Sequence, residues 1–230
     1  MVDILCKNLS ISYGEVHALN GLDFQHNGGG IIGLLGVNGS GKTTLLRILA
    51  GLEMNYSGEV SLNGIRPSYK TKGFVSYQPD HIPFGKNYRI SEILKIYGNF
   101  FEDFDRRKCS NVLVNLGLKE SMHLREMSKG MQDKLMIALS LCRNSELYLL
   151  DEPISGVDVS ARKEIREIIL DIYNPESLVL ISTHMIRTIE PLLDRAILME
   201  QGKILMNDEI DVLRSKFNRD LEGTFEEVYK

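Results

Sequence analysis

Long apolar runs, an excess of basic residues and paired cysteines are all missing from this chain of 230 residues. No stretch approaches the roughly 18 consecutive apolar residues of a membrane span, and Met1-Val2-Asp3-Ile4-Leu5 lacks the charged-then-apolar pattern of a secretory leader. A cytoplasmic protein is expected, with any business at a membrane conducted through a partner. Cys6, Cys109 and Cys142 are far apart and odd in number, which offers neither a disulfide framework nor metal-ligand spacing and leaves reduced thiols. A net charge of −4 gives no broad field for nucleic acid or anionic lipid. Repeats, low-complexity tracts and long linkers are absent as well. What remains is ordinary globular material, 43% hydrophobic and 25% charged, long enough to bury a core without staples.

Short apolar runs alternate with amphipathic stretches, the pattern of a mainly parallel sheet covered by helices. Ile31–Leu35, Phe74–Tyr77, Leu147–Leu150, Leu178–Ile181 and Ala196–Met199 read as buried strands, too short for helices and mostly rich in Val, Ile or Leu. Residues 1–30 and about 57–66 read differently. Ile4, Asn8, Ile11 and Tyr13 sit among polar residues and glycines, and Gly58-Glu59-Val60-Ser61-Leu62-Asn63-Gly64 is a strand running into a turn. These segments are expected to form a small antiparallel sheet beside the core. From about 86 to 128 the pattern is helical, with apolar positions that include Ile90, Ile93, Leu94, Val112, Leu113 and Leu116, so a helical insertion is expected there. A single domain over residues 1–230 accommodates all of these parts.

One short run carries chemistry outright. Gly36-Val37-Asn38-Gly39-Ser40-Gly41-Lys42-Thr43 fits the phosphate-loop pattern, and its context is right: the strand Ile31–Leu35 enters it, and a helical run from Thr44 to Ala50 leaves it, stopped by Gly51. Gly36, Gly39 and Gly41 let backbone N–H groups turn inward and approach phosphate oxygens. The following helix presents its positive dipole end to the same anion. Lys42 suits the β- and γ-phosphates, and the Thr43 hydroxyl is the expected Mg²⁺ ligand.

A phosphate loop that hydrolyses its nucleotide also needs an acidic group on a neighbouring strand. Leu147-Tyr148-Leu149-Leu150-Asp151-Glu152 supplies one, an apolar strand ending on two carboxylates at the edge where open α/β sheets bind ligands. Asp151 is expected to hold Mg²⁺ through water, and Glu152 to take a proton from the attacking water or polarise it.

With these motifs in order, the chain resembles the nucleotide-binding subunits of ABC transporters, from Tyr13 to its last helix. The resemblance implies an α/β fold: a P-loop NTPase core with a mainly parallel sheet, a flanking antiparallel β-subdomain and a helical insertion. It implies that Tyr13, in Ser12-Tyr13-Gly14, stacks on adenine, while Val37, Asn38, Ser40 and Thr44 line the ATP together with the loop's glycines. Gln78, in Tyr77-Gln78-Pro79, matches the glutamine of the loop joining the core to the helical insertion, which ligates Mg²⁺ and touches the attacking water. His184, in Ser182-Thr183-His184, matches the histidine that contacts the γ-phosphate and orders the catalytic groups. Lys42, Gln78, Glu152 and His184 are thus the expected catalytic set, and Thr43, Gln78 and Asp151 the metal set. Asp158, in Ser155-Gly156-Val157-Asp158, matches the carboxylate of a loop that reaches across a dimer interface.

The family's signature loop reads Leu-Ser-Gly-Gly-Gln, and here the aligned run is Met127-Ser128-Lys129-Gly130-Met131. Ser128 and Gly130 match; Lys129 replaces a glycine and Met131 the glutamine. In the family this loop opens a helix that meets the γ-phosphate held by the opposite subunit, and Ser128, the Gly130 amide and a helix start at Met131–Leu135 keep that capacity. A similar Ser-Lys-Gly-Met form occurs in short subunits of efflux-type and drug- or peptide-resistance transporters. The expectation is therefore an ATPase that works as a dimer, with itself or with a homologous subunit. It drives a separate integral membrane permease from the inner face of the cell membrane, with export favoured and no nucleic acid involved. A soluble ATPase of the same type with a non-transport role is the alternative. The aromatic-rich stretch Tyr97–Asp105 is read either as core of the helical insertion or as a groove for a short helix of the membrane subunit.

Overall fold

Strands buried on both faces read as unbroken apolar runs, and the short Val, Ile and Leu segments of this chain assemble accordingly. The computed structural model describes residues 2–155 and 159–229. Its strands are β1 (Val2–Tyr13), β2 (Val16–Gly28), β3 (Gly30–Leu35), β4 (Ser57–Leu62), β5 (Val75–Gln78), β6 (Leu147–Asp151), β7 (Leu178–Thr183), β8 (Arg195–Glu200) and β9 (Lys203–Glu209). Its helices are α1 (Lys42–Leu49), α2 (Ile90–Phe100), α3 (Arg106–Asn115), α4 (Lys129–Leu141), α5 (Val159–Ile172), α6 (Ile186–Ile189), α7 (Ile210–Phe217) and α8 (Leu221–Val228). Among the described residues, no helix is long and apolar enough to cross a membrane.

The larger sheet has six strands in the order β5-β6-β7-β3-β8-β9, parallel except for the antiparallel β8–β9 pair. Side chains alternate across it. Ile32, Leu34, Leu149, Leu180 and Ile197 pack on one face against α1 and the smaller sheet. Ile31, Leu150, Ile181 and Leu198 pack on the other against α4, α5 and the C-terminal helices. Each such side chain, removed from water, contributes about 1.5–3 kcal/mol. The smaller sheet has three antiparallel strands in the order β2-β1-β4, so the expected antiparallel layer is present. Beside these layers, α2, α3 and one face of α4 share a core of Ile93, Leu94, Leu113, Leu135 and Leu139.

Three details differ from the expectations. Strand β9 was not foreseen: it is an edge strand of half-exposed and exposed residues whose apolar run is only Ile204-Leu205-Met206. It forms a two-residue hairpin with β8 through Gln201 (φ 46°) and Gly202 (φ 76°), both left-handed as such a tight turn requires. Helix α4 begins at Lys129 rather than Met131, because the Ser128 side chain accepts a hydrogen bond from the Met131 N–H and caps the helix two residues earlier. Gln78 lies on the last residue of β5, not in the loop beyond it.

The aromatic stretch is partly core and partly groove lining. Tyr97 packs its ring 5.3 Å from Phe101 and 5.4 Å from the buried Phe104. Phe100 is 78% exposed and helps line a groove of about 760 Å³ with Tyr69, Lys72, Tyr97, Phe101 and Arg143.

Candidate active site

Four neighbouring parallel strands deliver chemistry at their carboxyl ends: β5 ends on Gln78, β6 on Asp151, β7 on Thr183 beside His184, and β3 on Leu35 before the phosphate loop. That crevice is where an open α/β sheet places its ligand. The loop from Gly36 to Gly41 leads into α1, whose N-cap is Gly41 in the left-handed region (φ 105°), without a side-chain cap and with no acidic residue in the first turn. The first amides of α1 therefore face out unneutralised by any side chain of the helix, which makes an anion site. A Cβ at Gly41 would lie 2.5 Å from the Ala18 carbonyl oxygen, so only glycine lets β2 press on the loop this closely. Beside this contact the Gly202 N–H donates to the Ser40 carbonyl at 3.0 Å, and the Asn20 N–H donates to the Gly202 carbonyl at 3.0 Å.

Lys42 is buried, and its Nζ donates to the carbonyls of Gly36 (2.8 Å) and Val37 (3.1 Å). Burial pushes its ammonium below the usual lysine range, opposed by the carboxylates of Glu152 and then Asp151. The Ser40 hydroxyl is buried with no partner in the structure.

Asp151 is fully buried and held by hydroxyls. Its Oδ1 accepts from Ser182 Oγ at 2.6 Å and Thr43 Oγ1 at 3.0 Å, and its Oδ2 from Tyr77 at 3.4 Å. Burial raises its pKa, the hydrogen bonds from Ser182 and Thr43 lower it, and the charges of Asp80 and Glu152 push in the same direction as burial. On the adjoining strand Gln78 is 2% exposed, paired in register with Leu150, and its Oε1 is a buried acceptor with no partner. Thr43, Asp151 and Gln78 thus present hard oxygen donors, one of them unspent, which suits a Mg²⁺ ion better than any softer metal.

Glu152 follows directly with φ 48°, an uncommon conformation for a residue with a side chain and one that stores strain at functional sites. Its N–H donates to the Ser182 carbonyl at 3.1 Å and lies 3.0 Å from Ser182 Oγ, which fixes the bend. The bend points Glu152 Oε2 at His184 Nδ1, 3.0 Å away. Tyr13 ends β1 half-exposed, with its hydroxyl donating to Glu53 Oε2 at 3.1 Å and lying beside Thr44 of α1. Burial is the main cause that raises its pKa.

Ser128 and Gly130 lie apart from this cluster, at the start of α4, with Ser128 exposed. Met131 packs onto the core of the helical part, and the adjoining Gln132 braces the signature loop by donating to the carbonyls of Leu124 (3.2 Å) and Met127 (3.3 Å). Asp158 lies outside the described residues. Two members of the cluster escaped sequence reasoning: Ser182 and Tyr77. Ser182 had a signal, a hydroxyl that with Thr183 ends an otherwise apolar strand, paired in register with Asp151.

Comparison with known proteins agrees with this geometry. The family model described as ABC transporter matches residues 19–155. An uncharacterised ABC transporter ATP-binding protein of Methanocaldococcus jannaschii is 32% identical over 90% of this chain and 78% of its own length. The lantibiotic transport ATP-binding protein SrtF of Streptococcus pyogenes is 30% identical over 89% of this chain and 90% of its own. Other curated relatives are longer, and the chain spans 66% of one and 46% of another. The solved structure of an ATP-binding subunit of an ABC transporter superposes with a TM-score of 0.87 at 25% identity, over 99% of this chain and all of that one. This chain belongs to the ATP-binding subunits of ABC transporters, the domains that hydrolyse ATP to power transport.

Proposed function

We propose that the chain hydrolyses ATP in a nucleotide-sandwich dimer and thereby drives a separate permease, in the direction of export. The observation that carries this reading is the Glu152–His184 pair at 3.0 Å, set beside a phosphate loop and a buried Asp151. A carboxylate in reach of a histidine, on a strained bend, is a base with a fixed direction. Glu152 takes the proton from a water that attacks the γ-phosphorus in line, and the bond to the bridging β-phosphate oxygen breaks to release ADP. His184 holds Glu152 and offers a donor to the γ-phosphate. Lys42 and the first amides of α1 stabilise the charge on the phosphates. Thr43, Gln78 and Asp151 would hold Mg²⁺, which supplies charge neutralisation at the phosphate oxygens. Tyr13 stacks on adenine, and Val37, Asn38, Ser40 and Thr44 line the phosphates with the glycines.

The second half of each site comes from Ser128 and Gly130 of another subunit, with Asp158 at the same interface. Support lies in the exposure of Ser128 at the capped start of α4, where a helix dipole faces solvent. The permease contacts the groove lined by Tyr69, Phe100 and Phe101, since exposed aromatics favour interfaces. Export is supported by the Ser-Lys-Gly-Met signature and by the likeness to SrtF, a lantibiotic transport protein.

The composite site is tested by ATP-induced dimerisation in sedimentation velocity, in a Glu152→Gln background. Ser128→Arg is expected to bind ATP as the parent does yet remain monomeric; dimerisation equal to the parent's removes the signature loop from the interface. Lys42→Ala is expected to weaken ATP binding by about 10- to 100-fold, the range of a charge-assisted hydrogen bond. Titration with a fluorescent ATP analogue measures it, and unchanged affinity removes Lys42 from the phosphates.

A further inference from the structure

Lys129, one of the two residues by which the signature departs from its family, has a defined place within its own chain. Its Nζ donates to Asp133 Oδ1 at 2.9 Å, one helical turn along α4, and to the backbone carbonyl of Asp80 at 3.2 Å. Asp80 lies two residues beyond Gln78. Asp133 is buried, and its Oδ2 has no partner in the structure. Burial raises the Asp133 carboxyl's pKa, and the hydrogen bond and charge of Lys129 oppose that. A side chain at the position of a family glycine thus spans from the start of α4 to the loop that follows Gln78.

We propose that Lys129 is a positioning residue that fastens the signature helix to the Gln78 loop, so that the start of α4 and Gln78 move together. The inference rests on the composite-site reading above, in which Gln78 serves the nucleotide of its own subunit and α4 that of the opposite one. The competing role, a direct ligand of the opposite γ-phosphate, is disfavoured by Asp133. Moving the ammonium to a phosphate leaves the buried Asp133 carboxylate without its cation, a cost that the tie to Asp133 and Asp80 does not carry. A tie of this kind acts on the geometry of the reacting groups and not on affinity. Its removal therefore lowers kcat, since small misplacements at a reacting centre cost rate.

The test is steady-state hydrolysis by the full chain, with ATP affinity and melting temperature measured on the same samples. Lys129→Met is expected to lower kcat about tenfold with KM for MgATP held within about twofold. Lys129→Arg keeps the donors and is expected to recover most of the loss. Asp133→Asn is expected to lower kcat in the same direction. Lys129→Gly, the family's own residue, substitutes for the methionine variant should that one not fold. A rise in KM with kcat unchanged overturns the proposal in favour of a phosphate ligand. A fall in melting temperature with both constants unchanged overturns it in favour of a purely structural tie. Glu152→Gln is run alongside. Turnover by that variant overturns the assignment of the base in the composite-site reading, whereas an inactive Glu152→Gln beside a fully active Lys129→Met overturns the positioning role alone.

Discussion

Glu152→Gln binds ATP as tightly as the parent, hydrolyses it at least about 100-fold more slowly, and accumulates as an ATP-bound dimer. The rate figure is the lower end of what a positioned general base contributes. The amide has the size and shape of the carboxylate, so the left-handed bend at residue 152 and the Ser182 contacts that fix it persist. Lys42, Thr43 and Asp151 are untouched, and binding is preserved. Only proton acceptance is lost: the side chain that faces His184 at 3.0 Å no longer takes a proton from water. Single-turnover hydrolysis measured together with MgATP-dependent dimerisation separates the two effects. Turnover near the parent rate moves the base elsewhere.

Arg143→Ala is expected to destabilise the fold by about 3 kcal/mol, the lower end for breaking a buried pair, because Asp103 keeps partial contact with water. Arg143 is 4% exposed and uses every face of its guanidinium. Nε lies 3.0 and 3.2 Å from the two oxygens of Asp103, Nη1 donates to the Val75 carbonyl and Nη2 to the Lys72 carbonyl, each at 2.7 Å, and the plane lies 4.0 Å from the Phe101 ring centre. Alanine takes the guanidinium from two carbonyls and from the Asp103 carboxylate, which keeps the Ser145 hydroxyl at 3.1 Å, all at the floor of the aromatic groove. Lysine is not a rescue, since one ammonium cannot reproduce the fork. Against a total stability of about 5–15 kcal/mol this is a large share, and a fall in melting temperature of about 10 °C is expected for a chain of this size. Chemical denaturation gives the free energy directly; a change within about 0.5 kcal/mol, the level of an ordinary surface substitution, refutes the account.

The parts of the fold that could be read from sequence are those under two-sided burial. β3, β6 and β7 are sealed on both faces, so each position is constrained to be apolar and the runs stand out, to within a residue or two of their ends. β9 is sealed on one face at most, and its half-exposed residues carry no comparable pattern. Its signals were the short triplet Ile204-Leu205-Met206 and the preceding Gln201-Gly202, a turn whose register becomes meaningful only once β8 is known to be a strand. The same division runs through the site. Gly36–Thr43 and Asp151-Glu152 are contiguous in sequence, so their chemistry reads locally. The Thr43–Asp151–Ser182 hydroxyl network and the Lys129–Asp80 tie join segments many residues apart, and no local pattern encodes either.

The hairpin that sequence reasoning missed has a consequence for the phosphate loop. Gly202 holds the Ser40 carbonyl while the Ala18 carbonyl closes on Gly41, and Gly202 itself packs against Ala18 and Leu19, so the loop is braced by two segments from distant parts of the sequence that pack on each other. A loop already set in shape has little freedom left to lose, and phosphate contacts need not supply its ordering. It behaves as an anvil: whatever shape change accompanies ATP binding and hydrolysis falls to the groups around it, on the side of Gln78 and α4.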